Sequence, residues 1–142
     1  MMMAPGAIAE NYTKMSLIEA DFSNQNLTDS QFTDANLRNS DLHNADLTGV
    51  SLFGSNLEQA NLEGANLSYA TLDNARLVRT NLTHAVLEGA FVFNTNVDGI
   101  IIEGADFTDA FLSGKTIDKL CAIASGTNSI TGRSTRESLG CR

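Results

Sequence analysis

Hydrophobic residues recur every five positions along most of this chain. In an α-helix, five residues turn through roughly 500°, so residues at this interval do not form one stripe. In a β-strand, an odd interval sends alternate side chains to opposite faces. The pattern therefore predicts a chain that changes direction once every five residues, as in a solenoid whose hydrophobic residues all point to one axis.

The inward series contains no polar residue over about twenty repeats. Its members are Leu17, Phe22, Leu27, Phe32, Leu37, Leu42, Leu47, Leu52, Leu57, Leu62, Leu67, Leu72, Leu77, Leu82, Leu87, Val92, Val97, Ile102, Phe107 and Leu112. We expect this series to form the core. Its central ladder would consist of Leu37, Leu57, Leu62, Leu67, Leu72 and Leu77.

The residues on either side of each inward residue are also restricted in type. Two positions before it the side chain is mostly small, usually alanine, which predicts a second inward position with little room. Two positions after it the residue is mostly Asn, Asp or Gly, the types that tolerate positive φ. We expect these residues, which include Asn24, Asp29, Asp34, Gly49, Gly104 and Gly114, to form the corners.

The pattern Ala-(Asn/Asp)-Leu-x-x resembles that of the pentapeptide-repeat proteins, and it covers Met15 to Gly114, about seventy per cent of the chain. The resemblance implies a right-handed quadrilateral β-helix with four pentapeptides per coil, and hence about five coils in a rod of roughly 24 Å. We therefore expect an all-β solenoid over residues 15–114. An N-terminal leader or cap, residues 1–14, would precede it, and a short α-helical C-terminal cap, residues 115–142, would follow.

Charge is distributed unevenly along the chain. Residues 15–114 contain fourteen acidic residues and three arginines, a net charge of −11, whereas residues 115–142 carry +3. An acidic rod repels nucleic acid and anionic membrane surfaces, so direct binding to either is not expected. No apolar run approaches the roughly twenty residues that a membrane-spanning helix needs.

The acidity has two interpretations. A solvated, soluble surface explains it without any special function. Some pentapeptide-repeat proteins, however, imitate the charge and width of duplex DNA and inhibit a type II topoisomerase, which gives an alternative function for this chain. The short rod here, and a tail unlike the dimer module of those members, favour the first interpretation.

The tail after the repeats predicts two short helices. Ile117, Leu120 and Ile123 have helical spacing after a possible N-cap at Thr116, which predicts a helix over residues 116–124. Ser134 followed by Glu137 fits a capping box for a second helix that ends at Gly140. Such helices would cover the unpaired backbone edge of the last coil.

The tail also contains the two cysteines, Cys121 and Cys141. A disulfide, a metal pair and reduced, buried thiols are the three states available to them. A metal would need more ligands, and both histidines, His43 and His84, fall on outward positions of the repeats. We favour the disulfide, which implies an oxidising, extracytoplasmic compartment.

The tail resembles the C-terminal signature of pentapeptide-repeat proteins of the cyanobacterial and plant thylakoid lumen. The matching segments are Leu120-Cys121, Ser125-Gly126-Thr127-Asn128, Thr131-Gly132, Thr135-Arg136 and Ser138-Leu139-Gly140-Cys141. The resemblance implies export to the thylakoid lumen or periplasm, a C-terminal disulfide and no established activity. Residues 7–9, Ala-Ile-Ala, resemble a cleavage site, although residues 1–6 lack basic and hydrophobic signal regions. We expect a signal peptide to have been removed.

The outward residues show no catalytic constellation. His43 would stack under Glu63, while His84 is two coils away and displaced by one residue, so the histidines do not form a pair. Asp41 with Asp21, or Asp46 with Glu58, could share a cation weakly, but solvated surface acids explain them better. We expect no enzymatic activity, no cofactor and no metal site.

Four outward phenylalanines do not look solvated. With four repeats per coil, Phe53, Phe91, Phe93 and Phe111 lie on one side, and Val86 and Ile101 lie outside neighbouring sides. Either the C-terminal helices fold back and bury them with Leu120 and Ile123, or they form a docking patch for a protein partner or a second copy. We therefore predict a non-enzymatic interaction or scaffold module, a monomer or weak homodimer, with a protein partner.

Overall fold

A computed structural model describes residues 10–142 as a solenoid followed by two short helices. The repeat region has no extended strands. It consists of isolated parallel β-bridges at every fifth residue, and each bridge joins residues twenty apart, as in Asn36 to Asn56 and Asn61 to Asn81. One coil therefore takes four pentapeptides. Residues 1–9 of the predicted leader or cap, which include the Ala7-Ile8-Ala9 cleavage site, fall outside the described residues, whereas Asn11 already forms a bridge with Gln31 of the next coil.

From residue 56 to residue 90, each pentapeptide donates three backbone hydrogen bonds to neighbouring coils. The N–H of Leu57, for example, donates to the carbonyl of Arg76 in the next coil at 2.9 Å. A second type of bond closes each corner, as the N–H of Ala60 donates to the carbonyl of Leu57 at 2.9 Å. These bonds satisfy the backbone groups that the narrow core encloses.

Where an asparagine or aspartate precedes the inward residue, it holds the start of the corner. Its Oδ1 accepts a hydrogen bond from the backbone N–H two residues later, as in Asn61 to Glu63 at 3.1 Å and Asn66 to Ser68 at 3.0 Å. This Asx geometry stabilises a turn locally. It explains why the repeat prefers Asn or Asp directly before leucine.

Positive φ marks the corners. Every corner position from Lys14 to Asp109 has positive φ except Asp29. Asp29 lies in a turn as predicted, although its φ is not positive, and the prediction was wrong only for Gly114, which begins a helix instead of turning a corner. At Gly64 a Cβ would also clash with Oδ1 of Asn44 in the neighbouring coil, so a larger residue there would require the Asn44 side chain to move.

The inward series forms a continuous core. From Phe22 to Phe107 every member is buried, and the leucines from Leu27 to Leu87 are at most 1% exposed. Only the terminal members Leu17 and Leu112 are partly exposed. At the N-terminal end the core is closed by three aromatic rings: Tyr12 stacks on Phe32 with centroids 4.9 Å apart, and Phe22 meets Phe32 edge-on at 5.6 Å.

The tail contains α1, Gly114–Cys121, and α2, Thr135–Leu139. The predicted start of α1 at Thr116 was wrong, because the Ser113 hydroxyl accepts from the Thr116 N–H at 3.2 Å and caps the helix three residues earlier. The predicted cap of α2 is confirmed: Ser134 Oγ accepts from the Glu137 N–H at 3.4 Å, and Gly140 ends the helix with φ 71°.

The tail does not cover the phenylalanines. Leu120 is buried, but it lines a cleft of about 280 Å³ with Val97 and Ile100, and Ile123 beside it remains 51% exposed. The expectation that Leu120 and Ile123 bury the four rings was therefore wrong. Val86, expected outside, is instead 7% exposed.

Candidate interaction site

The solenoid side that carries the four phenylalanines has two outward columns, and we call it the aromatic face. The first column contains Ser51, Thr71, Phe91 and Phe111, which are joined in sequence by parallel bridges. The second contains Phe53, Asp73 and Phe93, whose coils are joined by backbone bonds. The Gly54 N–H donates to the Asp73 carbonyl, and the Asn74 N–H donates to the Phe93 carbonyl, both at 3.0 Å.

All four rings of the aromatic face are substantially exposed. The exposed fraction is 39% for Phe53, 38% for Phe91, 43% for Phe93 and 48% for Phe111. Phe91 and Phe111 stack with ring centroids 4.8 Å apart and planes at 6°. Backbone hydrogen bonds to an adjacent coil hold each of the four residues, so the face is an ordered apolar surface.

Asp73 interrupts the second column. Its Oδ1 accepts a hydrogen bond from the Phe93 N–H at 2.7 Å. This bond replaces the Asx bond that Phe91 cannot supply from the position before Val92. Among residues 10–142, no ion pair includes Asp73.

The histidines and acids elsewhere do not assemble a reactive site. His43 Nδ1 contacts Asp41 Oδ1 at 2.7 Å in an open cleft shared with Asn61 and Glu63. His84 Nδ1 lies 3.2 Å from the backbone N of Ser129 and accepts its hydrogen bond. Within the described residues, no group of three or more His, Cys, Asp or Glu side chains is arranged to hold a metal ion.

A buried polar anchor that the sequence did not reveal attaches the tail to the solenoid. Asp106 is fully buried, and Arg133 from the loop between α1 and α2 reaches it at 3.2 Å and Glu88 at 2.6 Å. Because Val86 and Asp106 are bridge partners, this loop lies over Val86 and explains its burial. The sequence feature that could have indicated this anchor is Arg133, because it is one of the few basic residues in a chain whose repeats are acidic.

The Asp106 carboxylate contributes stability at the acid end of the pH range. Burial alone raises the pKa of Asp106, but hydrogen bonds from Thr108 and Thr131 and the charge of Arg133 outweigh it, so the net pKa is lowered from 3.8. A lowered pKa in the folded state stabilises the protein above the unfolded-state pKa, and this contribution disappears as the pH falls through the folded-state value. The melting temperature of Asp106→Asn should therefore be lower than that of the wild type at pH 7, and it should fall less steeply as the pH decreases below 4.

The exposed neighbour Asp109 provides the matched control for this charge removal. Asp109→Asn should leave the melting temperature at pH 7 close to that of the wild type. If the melting temperatures of Asp106→Asn and the wild type fall equally steeply as the pH decreases, the role assigned to Asp106 is contradicted.

A disulfide joins Cys121 at the end of α1 to Cys141 after α2, so the predicted pairing is confirmed. The bond closes a loop with a sequence separation of 20 residues, which stabilises the fold by about 3 kcal/mol on the chain-entropy model. Arg136 strengthens the same junction, because its guanidinium donates to the carbonyls of Cys121 and Arg142 at 3.0 and 2.7 Å.

Comparison with known proteins decides the family. The sequence profile of pentapeptide repeats matches eight copies, over residues 16–54, 45–83 and 60–99. The chain belongs to the pentapeptide-repeat family. The predicted resemblance is thus confirmed, and the fold is the right-handed quadrilateral β-helix of that family.

Solved pentapeptide-repeat proteins of plants and cyanobacteria are similar to this chain. One from the thylakoid lumen of Arabidopsis thaliana is 36% identical, with a TM-score of 0.74, covering 94% of this chain and 86% of its own. Rfr23 from the cyanobacterium Cyanothece 51142 is 31% identical, with a TM-score of 0.53, covering 79% of this chain and 67% of its own. One from Nostoc PCC 7120 is 27% identical, with a TM-score of 0.52, covering 72% of this chain and 84% of its own.

Curated protein sequences give no significant match to the chain. Within residues 10–142, neither helix has the length and apolar character needed to cross a bilayer.

Proposed function

We propose that this protein is a non-enzymatic scaffold module that presents the aromatic face to a protein partner in the thylakoid lumen or periplasm. The module is a rod of about five coils with its C-terminal end closed by α1, α2 and the disulfide. The β-helix supplies rigidity, because each outward side chain lies at a fixed spacing of about 4.8 Å from the corresponding side chain in the next coil.

The observation that carries the proposal is the exposure of four aromatic rings on one ordered side. Exposed apolar clusters on soluble proteins typically mark sites where another surface docks. Aromatic residues are also enriched among the residues that dominate binding energy. The tail was the only candidate within the described chain to cover these rings, and it packs against other sides.

Phe93→Glu tests the proposal, because Phe93 is exposed and its loss should leave the core intact. We expect an unchanged melting temperature and the loss of partner association. Association would be measured by photo-crosslinking from benzoylphenylalanine at position 53 in intact cells. Ser68→Glu, at the equivalent outward position of another side, is the matched control and should keep the crosslinked product. A discrete product that persists in Phe93→Glu would contradict the proposed site.

The location is supported by the Arabidopsis lumenal relative and by the disulfide. Fractionation with alkylation before a non-reducing gel checks it. An oxidised Cys121–Cys141 pair in the lumenal or periplasmic fraction is expected, and reduced cysteines in the cytoplasm would overturn the assignment.

The DNA-mimic alternative has only the overall acidity in its favour. All three arginines of the repeats lie around Glu58: Arg76 and Arg79 pair with it at 3.0 and 2.9 Å, and Arg38 acts on it electrostatically. One side of the rod is therefore mixed in charge, unlike the uniformly negative surface of a duplex. A supercoiling assay that shows inhibition of a type II topoisomerase would favour this alternative.

A further inference from the structure

We propose that the aromatic face binds an arginine side chain of its protein partner, placed over Phe53 and Phe93 and paired with Asp73. This inference rests on the proposed scaffold function and specifies the chemistry of the partner. It follows from three features of the second column: the position of the carboxylate, the absence of an internal cation and the size of the exposed apolar area.

Asp73 stands between two exposed rings. The backbone bonds from Gly54 to Asp73 and from Asn74 to Phe93 fix the three residues in successive coils, at a spacing of about 4.8 Å. A cation beside the carboxylate would therefore lie about one coil spacing from both rings, and an aromatic ring attracts cations through its quadrupole. The two attractions coincide at one place on the surface.

Residues 10–142 do not supply this cation. Arg76, three residues after Asp73, is directed to Glu58, with its Nε 3.0 Å from the Glu58 carboxylate. Asp73 uses Oδ1 for the Phe93 N–H and takes part in no ion pair within residues 10–142. Its negative charge is thus available to a group from outside the described chain.

Arginine fits the site better than lysine. The guanidinium is planar, stacks on aromatic rings and is more weakly hydrated than an ammonium group, so it loses less on leaving water. Phe91 and Phe111 in the first column would contact apolar side chains that flank the arginine. The predicted ligand is therefore a short segment in which an arginine has apolar neighbours.

A second copy of the protein fits less well. Four rings that are each about 40% exposed offer roughly 350 Å² of apolar surface. A stable interface typically buries about 800 Å² on each partner. A single segment of a partner matches the smaller area.

The test uses the full chain and four blocked tripeptides, Phe-Arg-Phe, Phe-Lys-Phe, Phe-Gln-Phe and Phe-Glu-Phe, with binding followed by the NMR shifts of the phenylalanine rings. We expect the arginine peptide to bind about tenfold more tightly than the glutamine peptide, since the cation–π contact and the charge-assisted hydrogen bond to Asp73 together contribute about 1.4 kcal/mol. The glutamate peptide should bind most weakly. Phe-Lys-Phe should be weaker than Phe-Arg-Phe, and equal binding would overturn the choice of arginine.

Asp73→Asn is the decisive variant, because an asparagine oxygen can still accept from the Phe93 N–H. We expect it to fold normally and to lose the preference for arginine over glutamine. Asp98→Asn, at the equivalent exposed outward position of a neighbouring side, removes the same charge away from the rings and should keep the preference. If Asp73→Asn still prefers the arginine peptide over the glutamine peptide as strongly as the wild type does, the inference is overturned. It is also overturned if, without peptide, the NMR shifts of the phenylalanine rings depend on protein concentration, since this indicates self-association.

The two proposals fail separately. If crosslinking from position 53 is lost in Phe93→Glu but the peptides bind equally whatever their charge, the scaffold function is retained and the proposed recognition of arginine is rejected. If no crosslinked product forms but the arginine peptide binds selectively, the scaffold function in the cell is rejected and the proposed recognition of arginine is retained.

Discussion

Leu67→Asp is expected to abolish cooperative folding of the central coils. Leu67 is fully buried in the middle of the inward series, and its N–H donates to the Val86 carbonyl at 2.7 Å. The substitution removes about 1.5 to 3 kcal/mol of hydrophobic stabilisation and places a carboxylate where no cation or donor can reach it. A loss above about 4 kcal/mol is a large fraction of the stability of a domain of this size. Circular dichroism melts should show no native transition, or one shifted strongly to low temperature.

Ser68→Asp is the matched control, since it introduces the same group one residue later. Ser68 faces outward, so the carboxylate remains in water, and the melting temperature should change by only a few degrees. A native melt for Leu67→Asp, or equal losses in both variants, would contradict the five-residue register.

The register was predictable because it depends on local geometry. A period of five is incompatible with both regular elements, and the chemistry of the corner residues indicated where the chain turns. The corner series nevertheless includes Gln59, Tyr69 and Arg79, all with positive φ. At these corners the bonds between coils impose the conformation, so composition alone does not identify them.

The tail could be predicted only in part, for a physical reason. The cap formed by Ser134 depends on nearby residues. The pairing of the cysteines depends on residue type. The start of α1 depended on which of two hydroxyls, Ser113 or Thr116, points back at the helix. The packing direction of the tail depends on contacts with coils more than twenty residues away, which no local pattern contains.

The aromatic face shows the same limit. Its four phenylalanines were grouped correctly on one side once a coil was taken as four repeats. Whether they were covered depended on the tail. Asp73 was not singled out, because an acid in an acidic rod carries no special signal until its neighbours in the adjacent coils are known.

Asn128 fixes the tail to the solenoid, and Asn128→Asp is expected to release the loop between α1 and α2. The side chain is 1% exposed, and its Nδ2 donates to the carbonyls of His84, Ala85 and Gly104 at 3.1, 3.1 and 2.9 Å. Aspartate would place a buried negative charge against three carbonyl oxygens. Breaking a buried polar network while adding an unpaired charge typically costs about 3 to 5 kcal/mol.

Hydrogen exchange should locate the damage. The Gly104 N–H, which donates to the Ser125 carbonyl at 2.8 Å, should lose protection in Asn128→Asp. The Leu62 N–H in the central coils should stay protected, because the disulfide still holds α1 to α2 and the core is unchanged. Asn128→Ala, which removes the donors without adding charge, should give a smaller effect.

Asn39→Asp is the control for the chemical change itself. Asn39 is exposed at a corner with φ 59°, a conformation that aspartate tolerates, so its melting temperature should remain near that of the wild type. Protection of Gly104 that is equal in Asn128→Asp and Asn39→Asp would show that Asn128 does not anchor the tail. Loss confined to Asn128→Asp would instead establish that one buried amide, absent from the repeat pattern, decides how the end of the rod is closed.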